Sequence, residues 1–119
     1  MMIELILPFP PAVNNITAVV RGRKITSKRG RQYREDAVRQ ISAQFNGAPL
    51  TARLSVKLVL IPPCRRKRDI DNYSKAALDA ITAAGVWVDD EQVDQLTIIR
   101  GEKVQGGGCL VQIEEMGHG

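Results

Sequence analysis

Histidine, cysteine and aromatic side chains are all scarce in this chain, and each scarcity closes off a class of function. Its single histidine lies in the tail Met116-Gly117-His118-Gly119, a small, polar segment that reads as a frayed end rather than the seat of a general base. His118 is therefore assigned no catalytic role. The two cysteines, Cys64 and Cys109, stand far apart, with no CxxC spacing and no histidine companion. That excludes a zinc site and a disulfide framework, and leaves reduced thiols of the kind a cytoplasmic protein carries. The opening stretch MMIELILPFPP has no basic lead, and Glu4 and the prolines interrupt its apolar run. It is neither a signal peptide nor a membrane span. Aromatics make up only 4% of the residues, so Trp87 reads as a packing residue in preference to a base-stacking one.

With 119 residues, 44% of them hydrophobic, the chain reads as a single domain over residues 1–119, burying roughly two-thirds of its unfolded surface. The net charge of +4 is too modest to single out nucleic acid among anionic partners. Its distribution says more. The basic run Arg65-Arg66-Lys67-Arg68 leads directly into Asp69-Ile70-Asp71, with Asn72 and Lys75 just beyond and a second acidic pair at Asp89-Asp90. A further basic set, Arg21, Arg23, Lys24, Lys28, Arg29 and Arg31, lies nearer the N-terminus.

Periodicity places these groups on elements. Met2 to Leu7 reads as a strand, ended by Pro8, Pro10 and Pro11. Val13 to Ser27 fits a loose hairpin or an irregular arm. From Arg29 to Asn46, Tyr33, Ala37, Val38, Ile41 and Phe45 recur at three- and four-residue intervals, an amphipathic helix closed by Asn46-Gly47. Leu54, Val56, Leu58 and Leu60 alternate as a strand that Pro62-Pro63 stops just before the basic run. The segment from Asp71 to Ala84 predicts a second helix, with Gly85 as its left-handed stop and Ala76, Ala77, Ala80, Ile81 and Ala84 as a small-residue packing stripe. Leu96 to Lys103 and Cys109 to Glu114 then read as two strands joined by Gln105-Gly106-Gly107-Gly108, a C-terminal hairpin. The fold class expected is α+β, a two-layer structure with a mixed sheet and two principal helices.

The acids hang from a strand end inside an otherwise positive region, which suits a site that holds a divalent cation against a polyanion. In an extended segment Asp69 and Asp71 project to one side while Ile70 turns inward. Magnesium takes one or two protein carboxylates, waters and phosphate oxygens, so this pair with Asp90 as a third acid makes an adequate site. Lys75, one turn into the helix, faces the same cleft and offers an ammonium to phosphate or developing charge. Each part also has a plain structural reading. Asp71 or Asn72 could simply cap the helix, Asp89-Asp90 could be a solvated loop, and the basic runs could be solvated faces. Their combination favours a metal-dependent nuclease. The alternatives are a metal nuclease acting on flaps or ordinary duplex and a non-catalytic basic nucleic-acid-binding module.

The string RRKRDIDNYSKAALDAITAAGVWVDDEQV, with LPFPPAVNN near the start, strongly resembles the RusA family of Holliday junction resolvases, nearly colinearly from the first strand to Glu115. The resemblance implies a RusA-like fold and a homodimeric, Mg²⁺-dependent endonuclease of DNA recombination and repair that nicks two opposed strands of a four-way junction. By motif position, Asp69, Asp71 and Asp90 fall on the metal-binding acids and Lys75 on the catalytic lysine. Asn72 lies in the same motif, and Asn14 matches a recurrent asparagine with a substrate or structural role. Arg65, Arg66, Lys67 and Arg68 are candidate DNA contacts with Asn14, Asn72 and Lys75. The chain departs from the family at Ala12, where a small hydroxyl residue follows the prolines in relatives.

Overall fold

The computed structural model describes residues 2–117. In chain order the elements are β1 (Met2–Leu7), β2 (Thr17–Val20), β3 (Arg23–Thr26), α1 (Lys28–Gln44), β4 (Leu54–Ile61), α2 (Lys75–Ala83), β5 (Val93–Arg100) and β6 (Gly108–Glu115). Short 3-10 turns occupy Val13–Asn15, Ile70–Tyr73 and Asp90–Gln92. Four strands form one sheet in the order β1-β6-β4-β5, and β2 and β3 pair separately as a hairpin. Only β4 and β5 run parallel, so the sheet is mixed.

Side-chain alternation sets which face of the sheet is covered. Leu54, Val56, Leu58 and Leu60 of β4, Cys109, Val111 and Ile113 of β6, and Leu5 and Leu7 of β1 are buried. They share one core with Tyr33, Ala37 and Ile41 of α1 and Ala76, Ala77, Ala80 and Ile81 of α2. This is the expected two-layer α+β arrangement. The alanine stripe lets α1 and α2 pack against each other. The other sheet face is left open.

The expected C-terminal hairpin does not form. β6 inserts between β1 and β4, and β5 lies on the far side of β4. Burial explains the choice. β6 presents four buried residues and suits the interior of the sheet, whereas β5 has no buried residue and suits an edge. Residues 101–107 therefore cross the end of β4, pinned by Gly101 N–H to Leu60 O (2.7 Å) and Val104 N–H to Pro62 O (3.1 Å).

The second helix also starts later than the pattern predicts, at Lys75 rather than Asp71. Ile70 and Tyr73 both turn inward, and a three-residue turn stacks positions three apart on one side, so a 3-10 turn precedes α2. Asp71 consequently does not cap the α-helix. At the other end Gly85, with φ 79, closes α2 as expected. Its N–H reaches Thr82 O at 3.0 Å while Val86 N–H reaches Ile81 O at 3.3 Å, a Schellman ending.

The region from Val13 to Ser27 resolves into a 3-10 turn and a true hairpin. Arg21 and Gly22 both take positive φ, 52 and 75, as a two-residue type I′ connection requires. Ser27 caps α1 by accepting from Gly30 N–H at 2.9 Å. A Cβ on Gly30 would lie 2.6 Å from Ile16 O, so only glycine lets the hairpin base sit against α1. The helix ends at Gln44, with Phe45 already extended, one residue before Asn46-Gly47.

Candidate functional site

Asp69 is the last extended residue before the turn, with φ −93 and ψ 119. Asn72 N–H donates to its carbonyl at 3.1 Å, which folds the chain back and leaves Asp69, Asp71 and Asn72 exposed. Beneath them Ile70 is partly buried and Tyr73 is buried, its ring 5.4 Å from that of Phe9. The Val13–Asn15 turn packs against the Ile70–Tyr73 turn, bringing the Asn14 segment beside the acids. Lys75 follows directly as the first residue of α2, where the helix end carries partial positive charge.

Asp90 arrives from the opposite direction on a heavily braced turn. Gln92, 7% exposed, accepts from Val88 N–H and Asp89 N–H at 2.9 Å each. Its amide donates to Leu50 O and Ala52 O, also at 2.9 Å. Asp89 caps the turn through Glu91 N–H at 3.1 Å. From outside, Arg53 meets the Glu91 carboxylate at 3.1 Å and also grips Asp94. Hydrogen bonding from Arg53 holds the Asp94 carboxyl below the usual carboxylate range.

The Asp90 carboxyl sits above its ordinary range, first through burial, then through its hydrogen bond with Asp89 and the charges of Asp89 and Asp79, opposed by Lys75. Lys75, Asp79 and Asp90 therefore interact. The Lys75 ammonium lies 3.4 Å from the Asp79 carboxylate. Asp79 did not stand out in the sequence, although its i,i+4 spacing from Lys75 was the available signal.

The Ile70–Tyr73 and Asp90–Gln92 turns both contact α2, and Lys75, its first residue, acts on the Asp90 carboxyl. Asp69 and Asp71 precede the helix in the chain, and Asp90 feels the charges of Lys75 and Asp79 on it. Among the described residues no three histidine, cysteine or carboxylate groups are gathered tightly enough to form a ready-made metal cluster. The candidate donors are nonetheless all carboxylate oxygens, and Asp89 and Asp79 crowd Asp90 with negative charge that a hard divalent cation would relieve. The chemistry of these donors, all hard oxygens, suits such an ion.

The basic run divides in two. Arg65, Arg66 and Lys67 are exposed. Arg68 turns inward: its guanidinium donates to Cys64 O (3.0 Å) and Arg66 O (3.2 Å) and lies 5.2 Å from the Phe9 ring centre. Arg100 in turn donates to Arg68 O at 2.8 Å. Arg68 therefore shapes the loop that delivers Asp69. Hydrogen bonding from Arg66 N–H, then Arg68, lowers the exposed Cys64 thiol, whereas burial pushes Cys109 up to about 12. His118 lies outside the described residues.

Carboxylates at a helix start, edged by exposed cations on an α+β frame, suit the class of enzymes that cut phosphodiesters. Comparison with known proteins narrows the class. The family model described as endodeoxyribonuclease RusA matches residues 8–114. Similar relatives include the crossover junction endodeoxyribonuclease RusA of Escherichia coli strain K12, 36% identical over 97% of this chain and 96% of the relative. The proteins of the same name from Enterobacteria phage 82 and phage HK97 are 35% and 38% identical, covering 97% and 95% of this chain and 96% and 94% of their own. The chain belongs to the RusA family.

Proposed function

We propose that this chain, as one RusA-like endonuclease domain over residues 1–119, is a Mg²⁺-dependent Holliday junction resolvase that makes paired, symmetric nicks in four-way DNA. The observation that carries the reading is the near end-to-end RusA match, combined with an exposed acid pair just before α2 and a second acidic turn whose Asp90 feels Lys75. Asp69, Asp71 and Asp90 would hold the ion, which when bound would polarise the scissile phosphate and acidify water. Lys75 places its ammonium where negative charge develops. Asn72 folds the turn that presents both acids of the pair. Arg65, Arg66 and Lys67 offer phosphate contacts, with Asn14 beside the acids, while Arg68 acts through the loop it holds.

The test is a synthetic fixed junction beside a linear duplex of the same sequence, each with and without Mg²⁺. Junction-selective, Mg²⁺-dependent nicks at symmetric positions are expected. Equal cutting of the duplex would indicate a less selective nuclease. Junction binding with no product in Mg²⁺ or Mn²⁺ would leave only a binding module.

The enzyme is proposed to act as a homodimer in the cytoplasm. Among the described residues no helix is long and apolar enough to cross a membrane. A two-fold enzyme sets two identical sites on a two-fold junction. The open sheet face supports this reading. Ile6, Leu110, Val59 and Ile99 lie in register across all four strands, and Ile6 is 56% exposed. The next row is Glu4, Gln112, Lys57 and Thr97. A two-fold axis along the strands, between β6 and β4, would set Leu110 of one copy on Val59 of the other and Lys57 opposite Gln112, with no like charges opposed. Leu110→Lys should therefore yield a folded monomer in sedimentation, with nicks no longer paired. A dimer unchanged by this substitution would remove the face from consideration.

A further inference from the structure

Beside the acids lies a groove of about 800 Å³. One wall is the proline-rich segment Pro8–Ala12 with Phe9. The other is the first two turns of α1, and the Arg66–Arg68 loop and Tyr73 close the end nearest Asp69. Tyr33 fixes the two walls together by donating its hydroxyl to Pro8 O at 2.8 Å. Burial raises the Tyr33 phenol far above its ordinary value, so this donor keeps its proton.

Charge on the groove is one-sided. Lys28, Arg29 and Arg66 line it and, among the described residues, none of them pairs with a carboxylate. The one acid in the lining, Asp36, is already engaged by Arg39 at 3.3 Å and Gln32 at 3.2 Å. Lys28 and Arg29 are also the first two residues of a 17-residue helix, where backbone N–H groups lack intrahelical acceptors. Phe9, Tyr73 and the prolines supply an apolar wall opposite these cations.

Cations facing an aromatic and apolar wall are the arrangement that holds unpaired nucleic acid, phosphates on one side and bases on the other. The size agrees. Compact ligand sites run to roughly 300–1,000 Å³, so the groove has room for about two or three nucleotides and cannot admit a double helix. Asn15 lies both in the groove lining and in the turn packed against the acidic segment, so a strand lying there would continue toward Asp69 and Asp71.

We propose that this groove holds a short unpaired run of DNA strand next to the cleavage site, with its phosphates on Lys28 and Arg29. This rests on the reading of the chain as a DNA nuclease and adds which strand state it grips. The groove gives the enzyme a reason to favour branch points, where pairing opens, over continuous duplex.

The experiment compares the unaltered chain with Lys28→Ala/Arg29→Ala, both exposed positions, against a single-stranded hexanucleotide and a linear duplex across a salt series. The double variant is expected to bind the hexamer about tenfold more weakly and to flatten its log K against log[salt] slope by about 1.4, two contacts at roughly 0.7 each. Duplex affinity should change by less than about twofold. A 2-aminopurine in the hexamer should also lose its binding-induced fluorescence change in Phe9→Leu, which keeps an apolar side chain in place. Equal losses on duplex and hexamer, or no loss on either, would overturn the proposal. Junction cleavage by the unaltered chain, run in parallel, separates the failures: absent cleavage with intact hexamer binding condemns the nuclease reading and not the groove.

Discussion

Asp71→Asn is expected to lower junction cleavage by about 10²–10³-fold or more, the scale of losing one preorganised charge-stabilising group, while junction affinity stays within a few-fold. The two effects separate because the substitution removes one carboxylate and leaves every exposed cation in place. Asp71 is exposed on a 3-10 turn and makes no cap to α2, so the amide replaces it without disturbing packing. Arg65, Arg66 and Lys67 remain exposed for phosphate. Binding should keep its steep salt dependence through counterion release. Gel-shift titrations beside single-turnover cleavage measure both quantities. Cleavage at the unaltered rate would leave the acid pair without a role.

Gln92→Ala should be strongly damaging although it removes no proposed ligand. The amide makes four hydrogen bonds in a buried position, two as acceptor and two as donor. Its loss strands two N–H and two C=O groups, each costing about 1–3 kcal/mol where water cannot reach. Partial hydration should bring the net loss to about 3 kcal/mol, read as a lower urea midpoint at unchanged slope. The same change frees the turn that holds Asp90, so half-maximal cleavage should need more Mg²⁺. Gln92→Glu keeps the acceptor for Val88 and Asp89 but turns a buried carboxylate oxygen onto Leu50 O and Ala52 O, so it should be at least as destabilising. If stability drops while the Mg²⁺ requirement stays fixed, Gln92 only supports the fold and does not position Asp90.

Much of this molecule could be read from residue order. β1, β4 and α1 follow hydrophobic periods that one buried face imposes, and they fall within a residue or two of their expected spans. The Gly85 stop was legible because a positive φ at a helix end has few other solutions. Sheet order was not. Gln105 to Gly108 looks like a hairpin turn locally, but a turn signal cannot say that β1, some hundred residues earlier in the chain, competes for the same strand. The start of α2 was missed because capping chemistry at Asp71 and Asn72 lost to the inward pull of Ile70 and Tyr73.

At the site, the acids, Lys75 and the basic run were visible as types and spacings. The inward turn of Arg68 was hidden among four consecutive cations, since only tertiary contact with Phe9 and Cys64 distinguishes it. Asp79 and the Gln92 network were likewise silent, because their partners come from elsewhere in the fold.

The central place of β6 governs how the molecule assembles. β1 has no other neighbour in the sheet, and β4 has only β5 besides. A nascent chain leaving the ribosome therefore holds its first strand unpaired until residues 108–115 emerge. Closure at such long sequence separation is entropically slow. Until then the strand edges of β1 and β4 stay open to other chains, and β6, the fourth of the sheet's strands in chain order, completes the sheet.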